Sequence, residues 1–134
     1  MLSRDQLLAL DKGTAPVAVT VDGWGDGFIK RFNVLESSNW YKYTETIERD
    51  EKGYPVNPEQ FRSKLVQLTW CDADGKEIFL PNDVFTEFPK FRYDIINSVY
   101  LKSVKINNLS DKEVAREREN FTATQNSATG TGSL

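Results

Sequence analysis

Val17, Val19 and Val21 alternate with smaller or polar residues, and after a glycine-rich stretch Phe28, Lys30, Phe32 and Val34 resume the same period of two. That period sends successive side chains to opposite faces, so Pro16–Val34 reads as a β-hairpin. Elsewhere the apolar positions follow a helical period. Ser3-Arg4-Asp5-Gln6 ahead of Leu7, Leu8 and Leu10 is a capping-box sequence for a short helix that Gly13 and Pro16 end. Over Leu35–Arg49 the spacing of Trp40, Tyr43 and Ile47 is helical while Thr44, Thr46 and Ile47 are β-branched, and the helix is the favoured reading. A helix there turns Trp40, Tyr43 and Ile47 to the core and points Tyr41 roughly 100° away, towards solvent.

Lys52-Gly53, Pro55, Asn57 and Pro58 make Glu51–Pro58 a loop. Asn57 is suited to cap the next helix, with Pro58 at its first position and Phe61, Leu65 and Leu68 on one face, running to Trp70 or Cys71. Asp72-Ala73-Asp74-Gly75 predicts a turn, Ile78-Phe79-Leu80 packs down, and Pro81-Asn82-Asp83 starts a helical stretch that Pro89 interrupts. From Lys90 the set Phe91, Ile95, Val99 and Tyr100 is spaced for a long helix to Ile106, closed by Asn107-Asn108 in left-handed geometry. Ser110-Asp111-Lys112-Glu113 is a second capping box, opening a charge-dense helix to Asn120. That helix presents either a solvated face or a docking element for another subunit. After Phe121 only Thr, Ser, Asn, Gln, Gly and Ala precede Leu134, so residues 121–134 are expected to be a disordered tail. The fold class is thus α+β: an N-terminal hairpin packed on a helical body of about four helices, in one domain over residues 1–120.

Composition changes the picture chiefly by exclusion. The 134 residues contain no histidine and one cysteine, Cys71. Imidazole bases, catalytic triads, histidine-bound zinc and internal disulfides are therefore excluded, and Cys71 is expected to be a free structural thiol in a reducing cytoplasm. A net charge of −3 and pI near 5.0 offer no general attraction to a phosphate backbone, so no nucleic acid partner is expected. Apolar runs are short, and charges stand within Met1–Leu10 where a signal peptide would be apolar, so neither a membrane span nor export is expected.

Two motifs suggest chemistry and lose it on inspection. Gly23-Trp24-Gly25-Asp26-Gly27 resembles a phosphate loop, but a strand follows it where phosphate binding needs a helix N-terminus, so a hairpin turn is the reading, with Trp24 over one end of the core. Asp72, Asp74 and Gly75 resemble the start of a calcium loop, but the glycine stands at the fourth position and Asp83, not glutamate, at the twelfth. No catalytic, metal or cofactor site is assigned.

In their order along the chain, the pieces resemble the tail assembly chaperone family of long-tailed bacteriophages. The likeness runs from Leu2-Ser3-Arg4-Asp5-Gln6-Leu7-Leu8-Ala9-Leu10 through the valine-rich strand, Trp24-Gly25 and Phe28-Ile29-Lys30-Arg31-Phe32. It continues with Lys64-Leu65-Val66-Gln67-Leu68, Asp72-Ala73-Asp74-Gly75-Lys76-Glu77-Ile78-Phe79 and Asn107-Asn108-Leu109-Ser110 before Val114, covering most of residues 1–120. Members usually have an alanine- and leucine-rich stretch where this chain has Phe85, Phe88, Pro89, Phe91 and Tyr93.

The resemblance implies a protein of the host bacterial cytoplasm, without cofactor or catalytic motif. It would bind the tape measure protein, keep it soluble, help recruit tail tube protein, self-associate, and leave before the virion is complete. In many members a longer form arises by ribosomal frameshifting. The alternatives are a small virion structural protein, such as a head-tail connector or tail terminator, and an enzyme using the carboxylates of Asp72 and Asp74. For partner binding the residues expected to matter are Tyr41 with Lys42 and Glu45, because an exposed aromatic with a polar tip suits a binding surface. That surface would hold another copy of the chain or an apolar stretch of the tape measure.

Overall fold

A computed structural model describes residues 1–109; the expected Ser110–Asn120 helix and the tail from 121 lie outside the described residues. Helix α1 (Arg4–Leu8) has the predicted capping box, Gln6 donating its N–H to Ser3 Oγ at 3.2 Å and accepting from the Ser3 N–H at 2.9 Å. Strands β1 (Val17–Val21) and β2 (Gly25–Ile29) pair antiparallel, from Val17 opposite Ile29 to Val21 opposite Gly25. Trp24 N–H donates to the Val21 carbonyl at 3.0 Å, and Gly23, at φ +96°, supplies the backbone conformation this turn needs.

The hairpin is shorter than its alternation suggested. Instead of continuing to Val34, the second strand stops at Ile29, where its pairing with β1 ends opposite Val17. Lys30 N–H bonds the Thr69 carbonyl at 2.8 Å, and Asn33 caps helix α2 (Val34–Thr46) through a reciprocal box with Glu36 at 2.8 and 3.1 Å. The apolar Val34 that completed the strand pattern is consequently a first-turn helical residue. Helix α2 ends at Thr46, short of Arg49. The Thr44 and Thr46 hydroxyls bond back to the Tyr41 and Tyr43 carbonyls, and Arg49 reaches the Thr44 carbonyl at 2.8 Å and that of Gly53 at 2.9 Å.

Asn57 Oδ1 accepts the Gln60 N–H at 3.1 Å and caps helix α3 (Pro58–Thr69) as predicted. Trp70 and Cys71, expected as its last turn, form strand β3 (Trp70–Cys71), which pairs with β2 and makes a three-stranded antiparallel sheet ordered β1-β2-β3. The Asp72–Lys76 turn then returns the chain beside β3, with Asp72 Oδ1 accepting the N–H groups of Asp74 and Lys76, each at 2.9 Å. Helix α4 (Asp83–Thr86) and a 3-10 helix (Phe88–Lys90) are separated from helix α5 (Tyr93–Ile106) by an extended Phe91. Helix α5 therefore starts three residues later than its periodicity implied, since Phe91 turns into an aromatic cluster with Phe88 (5.7 Å between rings) and Trp24 (5.2 Å).

The end of α5 matches the prediction and adds to it. Asn108 has φ +51°, its N–H bonds the Lys105 carbonyl at 3.3 Å, and Leu109 N–H bonds that of Val104 at 2.9 Å while its side chain is buried. This paired closure, with its apolar contact, is the Schellman arrangement. Asn107 ties α5 to the chain between β2 and α2, its Oδ1 accepting the Phe32 N–H at 2.7 Å and its Nδ2 donating to the Lys30 carbonyl at 3.0 Å. Asn107→Ala is expected to lower stability by about 2 kcal/mol, because two part-buried backbone groups lose their partner. Urea unfolding of the two proteins measures it.

The core lies between the sheet's inner face and α3 and α5, with α2 along one side. Trp40, Tyr43, Phe61 and Tyr100 form one aromatic group; Trp24, Trp70, Phe79, Phe88 and Phe91 form the other, with Trp24 packed against the core 5.1 Å from Trp70. Between α3 and α5 the buried hydroxyls of Thr69 and Ser103 share a 2.8 Å hydrogen bond.

Candidate functional site

Helix α2 orients the sequence-predicted binding residues as expected. Trp40 is 1% exposed and Tyr43 and Ile47 are half-buried against the core, whereas Tyr41 is 39% exposed and Lys42 and Glu45 also face outwards. Tyr41 and Glu45 share a face, being one turn apart.

A larger feature lies elsewhere. Between the first half of α3 and the segment from α4 to the start of α5 is a hollow of about 490 Å³, with Arg62, Phe88 and Ile96 low in it and Phe85, Phe91 and Tyr93 at its sides. Two further hollows adjoin it, of about 480 Å³ by Lys64, Pro81 and Phe85 and about 410 Å³ by Ile47, Val56 and Phe61. Gln60 lines all three and Tyr43 the latter two; these hollows around Gln60 of α3 are together called the furrow. Tyr41, Lys42 and Glu45 line none of them.

The furrow exists because of its local sequence. Pro89 breaks the helical run, and the resulting short elements hold Phe88 inwards, 3% exposed, while leaving Phe85 62% and Tyr93 52% exposed. The Arg62 guanidinium carbon lies 5.2 Å from the centre of the Tyr93 ring, a cation–π contact that holds the ring at the edge of the hollow. Burial raises the pKa of the Tyr43 hydroxyl. Phe85 and Tyr93 thus line the same hollow with their rings exposed. Periodicity did not indicate the furrow. The available signal was the aromatic, proline-broken stretch from Phe85 to Tyr93.

Of the two carboxylates considered for chemistry, Asp74 is exposed. Asp72 is engaged with backbone N–H groups of its own turn. Among the described residues there is no cluster of potential metal ligands, and no helix is long and apolar enough to cross a membrane. Cys71 is fully buried, its Sγ 3.7 Å from the Phe28 carbonyl, and desolvation pushes its thiol pKa up to about 11. In the unfolded chain the thiol ionises about two units lower, near 9.0. The unfolded state therefore loses its proton first, and this group's stabilising effect falls as pH rises from about 9 to 11. A thiol reagent at pH 8 is expected to leave the folded protein unlabelled and to label it on denaturation. No protein-family model, curated protein or solved structure matches the chain.

Proposed function

We propose that this chain is a phage tail assembly chaperone: it binds the tape measure protein in the host cytoplasm, keeps it soluble, helps recruit tail tube protein, and leaves before the virion is complete. The observation that carries the reading is the furrow along α3, where Phe85, Tyr93 and Val56 are each more than half exposed. An apolar segment laid in this furrow loses the water contact that drives its aggregation, and the exposed rings lose theirs. The resemblance in the order of the motifs supports this client, and the furrow supports a place to hold it.

The test is co-expression with the neighbouring tape measure product. The tape measure is expected in the soluble fraction, co-purifying with the chain, and Phe85→Ser with Tyr93→Ser is expected to return it to the pellet without unfolding the chaperone. Purified virions are expected to lack the chain; finding it there as a stoichiometric subunit would favour a head-tail connector or tail terminator.

Tyr41, Lys42 and Glu45 form a second proposed contact, holding another copy or an apolar stretch of the tape measure. Tyr41→Ala is expected to leave the thermal midpoint within a degree or two of the parent while weakening co-purification or self-association about tenfold. Unchanged binding and association, or a destabilised monomer, would remove Tyr41 from the interface.

A further inference from the structure

Helix α5 leaves its outer side exposed. Helical spacing puts Asp94, Leu101 and Lys105 on one stripe, and all three are exposed, with Lys102 half-buried at the stripe's edge. Tyr93, 52% exposed, stands beside the start of that stripe, at the rim of the hollow that Phe85 and Ile96 also line. Read from its C-terminal end backwards, this side of α5 is basic, then apolar at Leu101, then aromatic.

The sequence that follows α5 complements this order. Leu109 is buried and Asn108 is left-handed, so the chain is pinned at the C-terminal end of α5 and leaves the helix axis there. From Ser110 the capping box opens the expected helix over residues 110–120. At about 100° per residue, Glu113, Val114, Glu117 and Phe121 fall on one side of such a helix, and Lys112, Ala115, Arg116 and Glu119 on the other. Its length is about 16 Å, against about 15 Å for α5 from Ile106 back to Ile96. Laid antiparallel to α5, it brings Glu113 level with Lys105, Glu117 level with Leu101 and Lys102, and Phe121 level with Asn97, one turn from Tyr93. Opposite charges meet twice, and the segment's single aromatic ring arrives where the hollow has its exposed rings.

We infer that residues 111–121 fold back along the outer stripe of α5 in the same chain, with Glu113 and Glu117 on Lys105 and Lys102, Val114 against Leu101, and Phe121 over the Tyr93 edge of the hollow. The chain then carries its own competitor for the hollow, and an apolar ligand enters by displacing Phe121. The competition rests on the furrow being a binding place, as proposed above; the contact itself is a property of this chain alone.

Paired cysteines in the full chain test the contact. Leu101→Cys with Glu117→Cys is expected to close a disulfide within one chain, and Leu101→Cys with Ala115→Cys, on the far side of the same segment, is not; Cys71 is buried and stays out of the reaction. The competition is read with the apolar dye bis-ANS. Val114→Ser with Phe121→Ser is expected to raise the dye's apparent affinity at least about threefold, because the hollow is then open for a larger fraction of the time, and adding Phe85→Ser is expected to remove the gain. Lys105→Glu should raise dye binding in the same direction, and Glu113→Lys in the same chain should restore the parent's value. Equal closure at positions 115 and 117 overturns the inference, as does dye binding unmoved by the Val114 and Phe121 substitutions or a charge-swapped variant that behaves like Lys105→Glu alone. None of these outcomes involves the tape measure, whose solubility on co-expression decides the tail-assembly reading separately.

Discussion

Phe61→Ala is expected to cost about 3–5 kcal/mol and to lower Tm by roughly 15–30 °C, the larger of two effects that follow from the packing. Phe61 is 2% exposed, and its ring lies 5.2 Å from that of Trp40, 6.3 Å from Tyr43 and 6.1 Å from Tyr100. It is therefore the residue through which α2, α3 and α5 share one aromatic group. Truncation leaves a cavity between three helices that cannot close without moving all of them, so the loss exceeds the transfer free energy of the ring. A small domain has about 5–15 kcal/mol of stability in total, so the variant should be partly unfolded at 37 °C. Differential scanning calorimetry with far-UV circular dichroism measures it. A shift of only a few degrees would mean that the group does not tie the helices together.

Gly27→Ala should be almost as damaging, by about 3 kcal/mol, although it adds a single methyl group. Gly27 is in β2 on the face turned to the core, opposite Val19, and a Cβ there would overlap Cζ2 and Cη2 of the Trp70 indole. The indole cannot swing aside, because β3 fixes its backbone opposite Ile29 and Trp24 packs edge-on 5.1 Å away. Trp70→Leu makes room for the methyl, so the double variant is expected to be less destabilised than the sum of the two single changes. Additive losses in urea unfolding would show that the strain at position 27 has another source.

Local signals in the chain were reliable where the responsible groups are neighbours. Ser3 with Gln6, Asn57 with Pro58 and Gln60, the Asp72–Gly75 turn and the Asn107-Asn108 closure were all legible, since each is satisfied by bonds spanning at most a few residues. The outward position of Tyr41 was legible for a related reason: once α2 exists, helical geometry alone separates it from Trp40. Where two local signals competed, the reading failed. Phe28, Lys30, Phe32 and Val34 keep a strand's alternation, but Asn33 and Glu36 also form a capping box, and in the fold the box prevails while β1 pairs no further than Val17 with Ile29.

Taken alone, then, the sequence determined the α+β class, most helix starts and stops, the hairpin turn, and the exclusion of histidine and disulfide chemistry. These depend on composition and on short-range hydrogen bonds. Tertiary structure decided the rest. Trp70 and Cys71 became a strand because β2 had an open edge beside them, and nothing within α3's own sequence reveals that edge. Asn107 became a tie between α5 and the Lys30–Phe32 segment, 75 and 77 residues away in its hydrogen bonds. The furrow arises from Gln60, Phe85, Tyr93 and Val56, which meet only after α3, α4 and α5 have packed, leaving some of their apolar side chains without a place in the core. An apolar residue's fate depends on which surface remains uncovered when packing is complete, and that is a property of the assembled body.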